Sequence, residues 1–346
     1  LWILGCCGQL FYDNMSYESE NLLQHKNEKQ IIEFVELLGY KYSGIWNTDL
    51  HGKARDFYWF DSTDYKSING VELSIYQKNK KLIVTTRTNE SRSYYDLVHQ
   101  NKTIRLLKKH FGGVFTTDYG KGRYLKPKGQ PLEPAASGCY LAFNSFGTNL
   151  IRAQLYFKNR KSTKEQETSD IDFLNRFNPR LISNNLLLPF LISILEDYWK
   201  STFVVLLKYS NNKEAVLKSN KISADRLVQI SKGELSVEQG FADSMSFARI
   251  SIVCNHFKAL DKSIAFASVL KKPYRKRKKN LFDSLEEMAH TRNIIIHEAS
   301  YPIILDDDYI RDSLNILNDS IERCYRELTK LNNWTFYKSW GGPRLK

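Results

Sequence analysis

What the chain lacks narrows it first. No stretch reaches the roughly 18 uninterrupted apolar residues that mark a transmembrane helix. The nearest, "LLLPFLISILEDYWK" (Leu186–Lys200), is interrupted by Pro189, Ser193 and three charged side chains, so no membrane partner is expected. Cysteine is scarce and odd in number (Cys6, Cys7, Cys139, Cys254, Cys324), with no CxxC and no Cys/His cluster. That excludes a disulfide framework and a zinc site from the expectations and points to a reducing, cytoplasmic setting. HExxH, GxSxG, GxxxxGK[ST] and GxGxxG are all missing. A zincin, an α/β-hydrolase and a phosphate-loop NTPase therefore have no support, and neither a metal nor a cofactor is expected. The opening "LWILGCCGQLFYDN" is apolar but short, carries no preceding basic residues and comes before Met15. Residues 1–14 are read as a non-native or irregular segment without functional weight.

What is present fits folded domains. Hydrophobic residues make up 42% of 346, enough for real cores, and the length suggests about two domains. The formal charge of +13 favours an anionic partner, nucleic acid first.

The two halves have different grammar. In residues 15–158, "NEKQIIEFVELLG" (Asn27–Gly39) and "SYYDLVHQNKTIRLLKKHFGG" (Ser93–Gly113) have helical spacing and glycine stops. "RDFYWFDS", "GVELSIYQKN", "KKLIVTTRTN", "VFTTDY", "GCYLAFNSF" and "LIRAQLYFKN" read as strands, the second and third as a hairpin. The expected order is α-βββ-α-βββ, a mixed α/β domain with an antiparallel sheet and a regulatory or sensing role. Residues 159–179, "NRKSTKEQETSDIDFLNRFNP", are polar and charged and are expected to be a linker. Residues 180–332 read as all helix, with a tail at 333–346, so the fold class is α+β. Four long helices are expected in the second half: "LISNNLLLPFLISILEDYWKSTFVVLLKY", one opened by the capping pattern "SVEQ" and running to about Val269, "NLFDSLEEMAHTRNIIIHEAS", and "DDDYIRDSLNILNDSIERCYRELTKLNN". The last places Ile310, Leu314, Leu317, Ile321, Cys324 and Leu328 along one face. Long helices joined by short links suggest an antiparallel bundle.

Charge is uneven in this half. From Arg180 to Lys346, Lys and Arg outnumber Asp and Glu by 26 to 19, an excess of seven. "KKPYRKRKKN" alone supplies seven positive charges: Lys271, Lys272, Arg275, Lys276, Arg277, Lys278 and Lys279. These seven are candidates for RNA-phosphate contact, against the plainer reading of a solvated loop.

The helix that follows has oddly placed polar groups. At about 100° per residue, Leu281, Leu285, Met288, Ala289, Ile295, Ile296 and Ala299 share one apolar face, and Arg292 falls within it. A charge there needs a carboxylate, a phosphate or water; Glu196 is the candidate structural partner. Glu286, His290, Asn293 and His297 form a second stripe, and Ile294 lies elsewhere, which suggests contact with a second protein surface. Arg292 and His297 are about 140° apart. A single helix does not aim both into one pocket, but a two-fold axis brings the same patch together twice.

"RNIIIH" resembles the R-x4-H motif of HEPN domains, helical bundles of prokaryotic toxins and antiphage systems; the resemblance covers Arg180–Asn332. The same spacing recurs in "RLLKKH" (Arg105–His110), but there leucine follows the arginine and the context is mixed α/β. The resemblance implies a metal-independent endoribonuclease acting as a homodimer. His297 would move a proton at the ribose 2′-OH or the leaving oxygen, since histidine exchanges a proton near neutrality. Arg292 would hold the scissile phosphate and its developing charge. Asn293 would orient one of them, with His290 and Glu286 as supporting candidates. The product would carry a 2′,3′-cyclic phosphate. The setting implied is antiphage defence by abortive infection, or a toxin with an antitoxin or phage-derived trigger. Some toxin members place a tyrosine two residues after the histidine; here Ala299 stands there, with Tyr301 beyond it. The alternatives are a non-catalytic HEPN module for dimerisation or nucleic-acid binding, and a DNA-binding regulator.

Overall fold

The structure, a computed structural model, describes residues 16–338 except 25–26, 49–51, 80, 90, 128, 161–174, 176, 220, 276, 299–301 and 303. The segment 1–14, residues 339–346 of the expected tail, and Lys276, Ala299 and Tyr301 lie outside the described residues. The chain divides into two compact units, Leu1–Ser137 and Gly138–Lys346.

The first unit is built on an antiparallel sheet with strands β1 (Ser16–Leu22), β2 (Lys41–Thr48), β3 (Gly52–Trp59), β4 (Val71–Lys78), β5 (Lys81–Asn89), β6 (Val114–Thr117) and β7 (Gly120–Lys121), in the order β2-β3-β4-β5-β1-β6-β7. Helices α1 (Glu28–Leu37) and α2 (Tyr94–Phe111) are the two that the spacing predicts. Asn27 caps α1, and Ser93 with Asp96 forms a reciprocal capping box on α2. Ile31 and Val35 of α1 and Leu107 of α2 pack on Phe57, Leu73, Ile75 and Val84. The β4–β5 hairpin stands as expected.

Strand β1 slots between β5 and β6, and nothing in "SYESENL" announces it. Its inward positions are mostly polar, Tyr17, Ser19 and Asn21. Long-range partners hold all three positions: Ser19 bonds Thr86 at 2.6 Å, Asn21 donates its amide N–H to the Val84 carbonyl, and Gln100 of α2 donates to the Tyr17 carbonyl, while the Asn21 Oδ1 has no partner among the described residues. Polar burial of this kind is tolerated because most of the hydrogen bonds are made. Strand β2 carries a bulge between Tyr42 and Gly44, which breaks the alternation that would have marked it.

At Gly113 the chain turns from α2 into β6 with φ of +91°, and an added Cβ would sit 2.0 Å from the Leu22 carbonyl oxygen. Gly113→Ala combines left-handed strain with a backbone clash, so a destabilisation above about 1 kcal/mol is expected in thermal melts; an unchanged melt would contradict it.

His99 lies buried on α2 with its ring stacked on Trp59, centroids 3.6 Å apart and planes 1° apart. Burial, helped by the Lys102 charge and opposed by Asp61, pushes its pKa down to about 4. The unfolded chain takes up this proton near pH 6.5, so the stability from keeping His99 neutral is full above pH 6.5. It is lost as pH falls towards 4, amounting to about 3 kcal/mol at a little over 1 kcal/mol per pKa unit. Denaturant midpoints at pH 7 and pH 4.5 should fall further apart in the native chain than in His99→Gln; equal acid sensitivity would remove His99 from the account.

The second unit contains α3 (Pro134–Asn159) from Gly138 onward, α4 (Pro179–Tyr209), α5 (Lys213–Leu217), α6 (Ala224–Ser231), α7 (Val237–Ala242), α8 (Ile250–Leu260), α9 (Phe266–Leu270), α10 (Leu281–Glu298) and α11 (Asp307–Leu331). Two expectations are corrected here. "GCYLAFNSF" and "LIRAQLYFKN" are not strands but lie within α3. Cys139, Phe143, Phe146, Leu150 and Ala153 are its buried positions, a helical period, and Phe143 stacks on Tyr325 of α11 at 4.2 Å. The two compact units divide between Ser137 and Gly138, and most of the segment 159–179 lies outside the described residues. The helix expected from "SVEQ" to Val269 is instead three short ones. Ser236 does cap α7, accepting from the Gln239 N–H, but Arg249 and Asp261 adopt extended backbone and break the run.

Long helices α3, α4, α10 and α11 frame this unit. Trp199, Tyr198 and Phe203 of α4 pack with Phe257 and Phe266 at its centre. The six residues predicted for the apolar face of α11 are all fully buried. Among the described residues no helix is long and apolar enough to cross a membrane.

Candidate active site

Asn280 caps helix α10, accepting from the Asp283 N–H and donating back to its carboxylate. It runs antiparallel to α4: Arg292 faces Glu196, while further along the Pro302 carbonyl accepts from Asn185 and the Leu305 carbonyl from Asn184. These two buried asparagines tether the chain just beyond the R-x4-H motif.

Arg292 is half-buried. Its Nη2 lies 3.8 Å from Glu196 Oε1, its Nη1 donates to Asn293 Oδ1 at 3.1 Å, and its buried Nε has no hydrogen-bond partner among the described residues. The Glu196 pair anticipated from sequence is therefore present but loose, well beyond the 2.7–2.9 Å of a tight charge-assisted bond. Asn293 is half-buried against Arg292, and His297 is exposed in the last turn. The structure thus brings Arg292 and Asn293 together. His297, five residues on, lies about 7.5 Å further along the axis and on another side.

One feature of the helical wheel is corrected. Ile296 is exposed, not core, whereas Thr291 is buried and Ile294 half-buried. The reason is that α10 packs on α11 as well as α4, which rotates the buried arc toward Thr291. Exposed Leu186 and Phe190 on α4, with Ile296 on α10, leave apolar surface on the motif helix and on the helix it packs against.

The supporting candidates separate. Glu286 accepts from the Ser251 N–H at 2.7 Å, filling the cap that Arg249 leaves open at the start of α8; that is a structural role. His290 is exposed on α10.

The basic run is not a free positive loop. Arg277 makes a two-pronged pair with Asp312 at 2.7 and 2.8 Å, Arg275 pairs with Asp319 at 2.9 Å, and Lys279 pairs with Glu287 at 2.7 Å. Lys271 lies over the Phe282 ring, while Lys272 and Lys278 are exposed. Much of the charge that composition concentrates here is answered by carboxylates of α10 and α11. Tyr274, in the middle of the run, is buried and donates to Asp319 at 2.7 Å. Burial first, then that hydrogen bond and the Asp319 charge, raise its pKa to about 12. Sequence reading passed over Tyr274; an aromatic residue inside a basic run was the available sign that the run folds back on the protein.

Among the described residues no group of three or more His, Cys, Asp or Glu is placed to hold a metal ion. Comparison with protein-family models, curated proteins and solved structures finds no match to the chain.

Proposed function

We propose that this protein is an endoribonuclease of HEPN type that acts as a homodimer in the cytoplasm, with Arg292, Asn293 and His297 at a composite site. The observation that carries the reading is the state of Arg292. It is a half-buried arginine with a loose carboxylate, an adjacent Asn293 that orients one nitrogen, and a buried Nε without a partner among the described residues. A phosphate supplies what that guanidinium lacks. His297, exposed and five residues on, is free to move a proton at a substrate. The angular separation of the two side chains is why the site needs a second copy of α10, and exposed Leu186, Phe190 and Ile296 offer apolar surface for it.

The chemistry is an internal attack. The 2′-oxygen adds to phosphorus as its proton leaves, the 5′-oxygen departs as it gains a proton, and a 2′,3′-cyclic phosphate remains. Histidine serves either proton transfer, and the guanidinium holds the charge that builds on the phosphoryl oxygens. The sheet unit would sense a trigger, restrain the nuclease or select RNA, in antiphage defence by growth arrest or as a toxin. The second reading, a non-catalytic module for dimerisation or nucleic-acid binding, is favoured by the Glu196 pair, which gives Arg292 a structural partner. Cleavage assays on Arg292 and His297 variants decide between them.

A further inference from the structure

A cleft of about 250 Å³ opens between the folded-back basic run and α11, lined by Tyr274, Arg275, Asp319, Glu322, Arg323 and Arg326. Three arginines face two carboxylates there. Arg275 is matched to Asp319 and Arg326 to Glu322. Arg323 has no carboxylate within ion-pair reach among the described residues. Its two terminal nitrogens donate to the Lys272 and Pro273 carbonyls at 3.4 and 3.2 Å, and its guanidinium lies 5.6 Å from the centre of the Tyr274 ring. Neutral carbonyls orient this half-buried guanidinium without cancelling its charge. Arg275 reaches the cleft from left-handed backbone, φ +49°, a conformation that costs a non-glycine residue free energy and needs compensation elsewhere.

We infer that this cleft is a second RNA contact, holding one backbone phosphodiester away from the R-x4-H motif. One positive charge in excess matches a singly charged phosphodiester better than a doubly charged phosphate monoester, and arginine's fork suits phosphoryl oxygens. The placement also fits. Tyr309 of α11 packs beside Thr291, the neighbour of Arg292. Arg323 lies 14 residues further along α11, about 21 Å by helical rise. At roughly 3.4 Å of axis per phosphate in a duplex strand, about six nucleotides, fewer if the strand is extended, bridge the two. The inference rests on the nuclease reading for its substrate class, and it moves the contact from the lysines of the loop to arginines of α11.

The test is fluorescence anisotropy of a labelled single-stranded RNA oligonucleotide with the full chain in EDTA, in a His297→Ala background so that the probe survives. Arg323→Gln and Arg326→Gln should each weaken binding about three- to tenfold and flatten its salt dependence by roughly one charge. Arg326 is exposed, pairs with Glu322 of its own helix and lies over the Phe336 ring; it bonds neither loop carbonyl that Arg323 holds, so its replacement tests the cleft even if Arg323→Gln loosens the loop, with melting temperature measured alongside. Glu322→Gln should tighten binding, because it removes a negative charge from the cleft. Unchanged affinity in Arg326→Gln, or weakening in Glu322→Gln as well, would overturn the inference in favour of an ion-pair network that merely pins the loop. Displacement of the RNA by equimolar inorganic phosphate would overturn it in favour of a free-phosphate site. Binding that responds as predicted, beside a wild-type chain that leaves RNA uncut, would sink the nuclease reading and keep the cleft; cleavage with no response in binding would do the reverse.

Discussion

His297→Ala is expected to slow RNA cleavage at least about a hundredfold, the scale of a positioned general acid or base. Arg292→Ala is expected to slow it by about a hundred- to a thousandfold, the scale of losing a donor to developing charge. Neither loss should come from unfolding. His297 is exposed. Arg292 gives up a bond to its neighbour Asn293 and a 3.8 Å pair with a partly exposed carboxylate, and such a loose pair contributes no more than about 1 kcal/mol. Arg292→Lys sharpens the result, because it keeps a positive charge near Glu196 but loses the planar fork. A structural role predicts near-normal cleavage in the lysine variant; phosphate recognition predicts a loss. Cleavage rates of labelled RNA, with melting temperature and sedimentation for each variant, provide the comparison. Unchanged rates in both alanine variants would leave the non-catalytic module standing.

Trp199→Ala is expected to cost about 3–5 kcal/mol of stability in urea titrations. Trp199 is fully buried and touches Tyr198, Phe257 and Phe266. It lies one turn from Glu196 on α4, so the same packing holds the helix against which Arg292 rests. Trp199→Phe should cost less than half as much. Phenylalanine keeps most of the apolar contact and removes an indole N–H whose nitrogen has no partner among the described residues; a buried donor left unmade costs about 1–3 kcal/mol by itself. Equal loss in the two variants would show that something other than the aromatic cluster carries the core.

Legibility in the sequence followed the physics of each segment. The α+β class, the helices α1, α2, α4, α10 and α11, the hairpin β4–β5 and the face of α11 were readable because apolar spacing and end caps agreed. Strand β1 was not, because Ser19 and Asn21 are buried through hydrogen bonds to distant strands and helices. Helix α3 was misread as two strands because its aromatic and small residues fit either period over short windows; the spacing from Cys139 to Ala153 becomes helical only over the full length. At the site, the conflict of Arg292 with an apolar face was visible, and so was its Glu196 partner. The pairing of Arg275, Arg277 and Lys279 with Asp319, Asp312 and Glu287 was not. Those carboxylates lie on the next two helices, and only the return of the chain brings them to the loop.

The most direct measurement takes purified full-length protein with RNA in excess EDTA, the His297→Ala variant alongside, and determines the chemistry of the new ends. Internal attack by the 2′-oxygen, assisted by His297 and Arg292, predicts cleavage that persists without divalent metal, ends in a 2′,3′-cyclic phosphate with a 5′-hydroxyl, and stops in the variant. Intact RNA, cleavage abolished by EDTA, or equal cleavage by the variant would contradict it.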